Sequence, residues 1–232
     1  MKEKFAMPRL IDLTAPLGHP DLCLVPTFPE VTFSQFHEHE THGRQNSAVT
    51  MAIHQGTHLD APNHFFADGA TIDEMPLEIF CGRAVKIDVR ATSKREQPIT
   101  RAHIEGSPGF EPSRLKGAIA VSWSGWSKEA IFTPDYFGPN PYLDAEACAF
   151  LCDLGIKALC MDHAIDPGMR PGGTAQKGDS PGHRTVLGRG VPLIEHVIDL
   201  DTFEETEFEM FAFPLKLYKI EGAPARVVAR VG

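Results

Sequence analysis

The segment His54-Gln-Gly-Thr-His58-Leu-Asp60-Ala-Pro-Asn-His64 places three histidines and a carboxylate within eleven residues. Imidazole and carboxylate together suit zinc, manganese or iron far better than calcium, which takes oxygen ligands. Bonds from such a metal to nitrogen or oxygen are about 2 Å long, so the side chains must converge. In an extended chain the alpha carbons of His54 and His58 would stand about 13 Å apart. A helical turn or a local bend brings them to about 6 Å. Gly56 supplies the freedom to bend, and Pro62 keeps a long helix from running through the segment. The expected picture is a strand ending in a tight turn that presents ligands to a cleft. A histidine-rich surface loop would have the same spacing, which by itself leaves both readings open. Gln55 and Thr57 could fix histidine tautomers or simply belong to the turn.

The elements that must position these residues follow from periodicity. Ser47 to His54 alternates polar and apolar residues and predicts a strand. Strands are also predicted at Arg83 to Val89, Gly117 to Trp123, Lys157 to Met161, Pro192 to Val197, Phe208 to Ile220 and Arg226 to Val231. Pro214 inside the Phe208 run predicts an edge or a bulge there. Asp144 to Leu154 predicts a helix, with acids in its first turn and Gly155 at its end. Ser180-Pro181 can open a short helix with the serine as cap, which would put His183 in its first turn. The sum is an α/β fold: a mixed, strand-rich β-sheet core with a few flanking helices.

The string HQGTHLDAPNHF resembles the HxGTHxDxPxH signature of the cyclase family of metal-dependent hydrolases, which includes bacterial kynurenine formamidase and isatin hydrolase; every fixed position is present. Gly69 to Phe80, Gly82 to Asp88, MDHAIDPG (Met161 to Gly168) and GHRTVLGRGVPLIEHV (Gly182 to Val197) are similar to the family in order and character. The resemblance implies the family's swivelling β/β/α-like fold, with residues 1–232 as a single domain. It makes His54, His58 and Asp60 ligands of one metal and His64 the catalytic acid/base. His183 and Glu195 match a later histidine and glutamate, which complete a second metal site in formamidase-like members, with the aspartate bridging. Members resembling isatin hydrolase carry one manganese, so one or two ions, zinc or manganese, are implied. Independently of the resemblance, Glu195 lies in an apolar strand, where a carboxylate is costly to bury unless paired or metal-bound; an outward-facing glutamate is the other reading.

The implied activity is hydrolysis of an amide, a cyclic amide or a related C–N bond in a small, aromatic substrate, by metal-activated water with a histidine base. A lyase or cyclising enzyme, or a lactone or ester hydrolase, could use the same site. A non-catalytic metal- or ligand-binding module is the remaining class. The resemblance also implies a homodimer or homotetramer whose pocket is finished by a neighbouring subunit.

Residues outside the signature also carry chemistry. His37, His39 and His42 could form a second metal site or sit in a solvated loop. Asp162 and Asp166 follow a predicted buried strand, where a cleft or a simple turn would suit them. His163 stands where the resembled family often has a small residue, so it is a candidate for substrate contact. Trp123 and Trp126 could line an aromatic pocket or belong to the core. Residues 168–182 form a long polar stretch, a lid or a plain insert. No GxSxG elbow, GxGxxG helix start or GxxxxGK[ST] loop occurs, which leaves a serine triad and nucleotide binding unsupported.

Bulk properties narrow the class. The chain has 232 residues, 42% of them hydrophobic and 23% charged, which suits a globular domain. Its net charge of −9 opposes phosphate backbones, so nucleic acid is not an expected partner. No run of about 18 apolar residues predicts a membrane span, and the first residues lack the apolar core of a signal peptide. Five scattered cysteines form no disulfide framework or zinc ribbon; Cys148 and Cys152 read as core residues. A cytoplasmic setting is expected.

Overall fold

The computed structural model describes residues 8–168 and 179–232. Its strands are β1 (Arg9–Asp12), β2 (Thr32–His37), β3 (Asn46–Thr50), β4 (His58–Asp60), β5 (Cys81–Asp88), β6 (Pro98–Ile99), β7 (Ile119–Trp123), β8 (Tyr142–Leu143), β9 (Ala158–Met161), β10 (Leu193–Glu195), β11 (Glu207–Pro214) and β12 (Gly222–Val231). The helices are α1 (His39–His42), α2 (Arg101–Glu105), α3 (Trp126–Ala130), α4 (Ala145–Asp153) and α5 (Pro181–Leu187).

One sheet runs in the order β1-β12-β11-β5-β7-β9-β10-β4, and β4 also pairs with β12. The sheet therefore closes into a barrel, with β1 flanking the far half of β12. It is mixed, as expected: β5, β7, β9 and β10 are parallel, whereas β4, β11 and β12 pair antiparallel. Side chains alternate across this closed sheet. Leu59, Ile119, Val121, Ile194, Met210 and Val227 join one buried cluster drawn from strands all around the ring, which makes it the barrel interior. Alanines at 84, 158, 212, 223 and 229 share that cluster and let a narrow barrel fill without voids. Val85, Ala120, Leu159 and Leu193 face outward and are covered by Ala147, Cys148 and Leu151 of α4. Cys148 and Cys152 thus belong to the core, with Cys152 packed at its margin.

The helix over 144–154 appears as α4, with the Asp144 carboxylate accepting from Ala147 N at 2.7 Å. Two local expectations fail. The alternating segment from Ser47 pairs only as far as Thr50, in a hairpin with β2, and residues beyond it turn toward β4. Strand β11 is not an edge: it lies between β12 and β5, and Pro214 is tolerated because it is the last residue of the strand. The long polar stretch before His183 falls largely at residues 169–178, outside the described residues.

Candidate metal centre

Strand β4 is the foundation of the site. Leu59 points into the barrel, so alternation sends His58 and Asp60 to the outer face. The register sets Glu195 of β10 opposite His58, on that same face. On the other side β12 sets Gly222 opposite Asp60. A Cβ at Gly222 would lie 2.5 Å from the Leu59 carbonyl oxygen and 3.1 Å from His54 Cε1, so only glycine leaves room for the His54 ring. His54 comes from the turn before β4. The predicted bend is centred on Gly56, which is left-handed at φ +62°, and it brings the His54 and His58 ring centroids to 5.1 Å. His64 closes the short 3-10 turn Pro62–His64 and stacks on His54 at 3.9 Å.

His183 arrives on α5. Ser180 does not cap that helix with its side chain; it is itself left-handed, at φ +59°. The Asp166 carboxylate takes the capping role instead, accepting from Gly182 N at 2.7 Å and His183 N at 3.4 Å. The same carboxylate binds His183 Nδ1. His58 Nδ1 donates to the Gly56 carbonyl at 2.8 Å. Both rings consequently turn Nε2 toward the centre. There His58 Nε2 lies 3.2 Å from Asp60 Oδ1 and 3.5 Å from Glu195 Oε2. His183 Nε2 lies 3.4 Å from Asp60 Oδ2 and 3.7 Å from Glu195 Oε2. His54 Nδ1 lies 2.7 Å from Asp60 Oδ1.

Burial penalises charge on His58, Asp60, His183 and Glu195, yet the carboxylates stay ionised. Desolvation opposes the ionisation of Asp60, but His58 and His54 outweigh it and hold the group well below the carboxylate range. Glu195 is likewise opposed by burial and still lowered to about 2 by His196 and His183. Conversely, burial works against protonation of His58 and His183, and the facing carboxylates override it to raise both. His64 behaves differently. Burial lowers it to about 4, with Asp60 opposing only in part, so its ring is neutral at physiological pH.

This donor set fits a divalent cation. His54 Nε2, His58 Nε2, Asp60 Oδ2 and Glu195 Oε1 are buried and make no hydrogen bond. Unpaired buried polar atoms are costly, and divalent cations held among them would satisfy them. Among the described residues, three overlapping groups bring donor atoms within 4.8 Å of one another: His54-Asp60-His64, His58-Glu195-His196 and Asp60-His183-Glu195.

The structure thus gathers His54, His58, Asp60, His64, His183 and Glu195 into one cluster. It does not bring Trp123, Trp126 or His163 into that cluster. Trp123 shares the inward face of β7 with Ile119 and Val121, and its ring lies between Lys86 and Arg90. Trp126 packs with Tyr136 and Phe137 and donates from Nε1 to the Tyr136 carbonyl at 3.0 Å. His163 is fully buried, with both ring nitrogens engaged by Ser122 and Ala164. Asp162 accepts from Ser124 and Gly125 and ties that turn to β9. His37, His39 and His42 lie on the hairpin.

Sequence reasoning missed His196 and Glu221 and left Asp166 undecided. Glu221 precedes Gly222 and places Oε1 3.4 Å from His54 Nε2. Asp166 carried one usable signal, its position in the turn region that follows a buried strand. His196 carried none, because strand alternation sends the neighbour of Glu195 to the opposite face.

Comparisons with known proteins show what the whole chain is similar to. The family model for cyclases matches residues 11–167. The chain is 30% identical over 223 residues to a kynurenine formamidase of Bacillus mycoides (strain KBAB4), covering 95% of this chain and 96% of that protein. Isatin hydrolase A from Labrenzia aggregata superposes with a TM-score of 0.80 at 28% identity, over 97% of this chain and 94% of that one. A structure described as a potential metal-dependent hydrolase with cyclase activity gives a TM-score of 0.72 at 27% identity, over 97% and 98% of the two chains.

Proposed function

The chain belongs to the cyclase family and is a metal-dependent hydrolase of non-peptide C–N bonds, and within that class we propose that it opens a small aromatic amide or lactam. The observation that carries the reading is the buried set of unsatisfied donors on β4, β10 and the preceding turn, with a neutral histidine beside it. His54, His58 and Asp60 are assigned as ligands of one ion, zinc or manganese. Asp60, His183 and Glu195 are assigned to a second. Residues 1–232 act as one hydrolase domain.

When bound, the divalent ion supplies Lewis acidity that polarises the substrate carbonyl and brings the pKa of water toward neutrality. The protein does the rest. His64, neutral and stacked on His54, takes a proton from the attacking water at a free ring nitrogen and returns it to the departing nitrogen. Gly56 and Asp166 lock the His58 and His183 rings so that Nε2 of each faces the reaction. Phe65 stacks on His183 at 4.9 Å and shields that side from water.

Assembly as a homodimer or homotetramer is part of the proposal. The β2–β3 hairpin supports it, since Phe33, Phe36 and Val49 are 59%, 59% and 53% exposed. A lone two-stranded ribbon is marginal in water, and a second copy would cover those side chains. A cytoplasmic setting accords with five free cysteines; among the described residues no helix is long and apolar enough to cross a membrane.

The test is metal analysis of the purified chain combined with a screen of N-formyl arylamines, isatins, lactones and cyclic imides. Hydrolysis of an arylformamide or isatin that is lost on chelation and regained with zinc or manganese is expected. Undiminished turnover by the metal-free protein would overturn it.

A further inference from the structure

His196 follows Glu195 directly, and in a continuing strand its side chain would point to the opposite face. It does not, because His196 is left-handed at φ +59°, a conformation that disfavours residues with a Cβ. The kink turns the ring back to the outer face of the barrel, beside its neighbour's carboxylate. There it is 2% exposed, with Nε2 3.7 Å from Glu195 Oε2.

Its tautomer follows from hydrogen bonding. The Tyr136 hydroxyl lies 3.2 Å from the Asp162 carbonyl oxygen and 3.0 Å from His196 Nδ1. A carbonyl can only accept, so the single hydroxyl proton goes to Asp162 and the hydroxyl oxygen accepts from His196 Nδ1–H. The lone pair is left on Nε2, facing the acceptor oxygen of Glu195. His58 Nε2 completes the triangle, and all three donor atoms lie within 4.8 Å of one another in a buried setting. Two lone pairs aimed at each other without water repel unless a cation lies between them.

We propose that His196 is itself a metal ligand, forming with His58 and Glu195 a third face of the ion-binding cluster, and that Tyr136 positions it. The inference rests on the hydrolase reading and adds to it a residue outside the signature. The metal concerned is of the class that accepts two imidazoles and a carboxylate: zinc, manganese or cobalt.

The test uses the full chain as His196→Asn, since asparagine tolerates the left-handed backbone without carrying an imidazole. His196→Gly is the second variant, read in the same way if the first does not fold, with circular dichroism reporting folding. Ion content per chain, zinc affinity against a chromophoric chelator and the visible spectrum of the cobalt-loaded protein are measured. The expected result is loss of one ion per chain, or affinity weakened at least about tenfold, with an altered cobalt spectrum. Tyr136→Phe should give a smaller loss in the same direction. Unchanged stoichiometry, affinity and cobalt spectrum in both His196 variants would overturn the role of His196 and leave the hydrolase standing. A wild-type chain that takes up no ion would overturn both.

Discussion

Two regions of this molecule are rich in histidine and opposite in character. On the hairpin, His37 and His42 bring their ring centroids to 4.7 Å. Their bonds are to neutral groups: His37 Nδ1 to the Asn46 amide, and His42 Nδ1 to Glu38 N and the Thr41 hydroxyl. Among the described residues, none of His37, His39 and His42 is within ion-pair distance of a carboxylate. On the barrel, His54, His58, His183 and His196 surround two buried carboxylates. The difference teaches that imidazole density does not make a metal site. What makes one is a carboxylate too deeply buried for water to solvate, placed where rigid strands keep the imidazoles from moving away.

The strongest way to break the contrast is to remove its carboxylate. Asp60→Ala, or His58→Ala on the facing donor, is expected to abolish bound metal and amide hydrolysis together, as measured by elemental analysis and steady-state assay. His64→Ala separates the two properties: metal is retained while kcat falls about 10²–10⁴-fold, the usual worth of a general acid–base group. If metal is lost instead, His64 is a ligand. Asp166→Asn weakens the hold on His183 Nδ1 and should lower metal affinity about 10–100-fold in chelator competition.

Acidity offers a gentler probe. The pKa values of His58 and His183 are raised because the Asp60 and Glu195 carboxylates outweigh their burial. An incoming ion must expel those protons, so apparent affinity should strengthen as pH rises and level off above the raised values, by about tenfold per pH unit for each proton expelled. Titration calorimetry in buffers of different ionisation enthalpy counts the protons. The smallest effect is expected on the hairpin. Combined replacement of His37 and His42 by alanine should leave ion content unchanged and shift stability by no more than about 0.5 kcal/mol in thermal melts, the range of exposed sites.

Much of the scaffold was legible because local signals were strong. Asp144 and the acid-rich first turn announced α4, and the apolar runs announced β7 and β9. Strand β4 was not, since its three residues alternate two polar donor side chains around one leucine and it gains order only by pairing with residues 193–195 and 222–224. Barrel closure is that same long-range pairing, which no local pattern records. In the site, the compact run from His54 to His64 spoke through spacing, and Gly56 through its need to bend. Asp166 and Glu221 reach the cluster only through the fold. Strand chemistry hid His196, because one left-handed residue reverses the face on which a side chain emerges.

The double pairing of β4 has a further consequence. Its amides are hydrogen-bonded between β10 on one side and β12 on the other, so they cannot be exposed without parting the ring of strands. Their deuterium uptake should therefore track global opening rather than local fraying. A cation held on this face would act as a clasp: it would bind the closed ring and not the opened one, so its removal should speed that exchange.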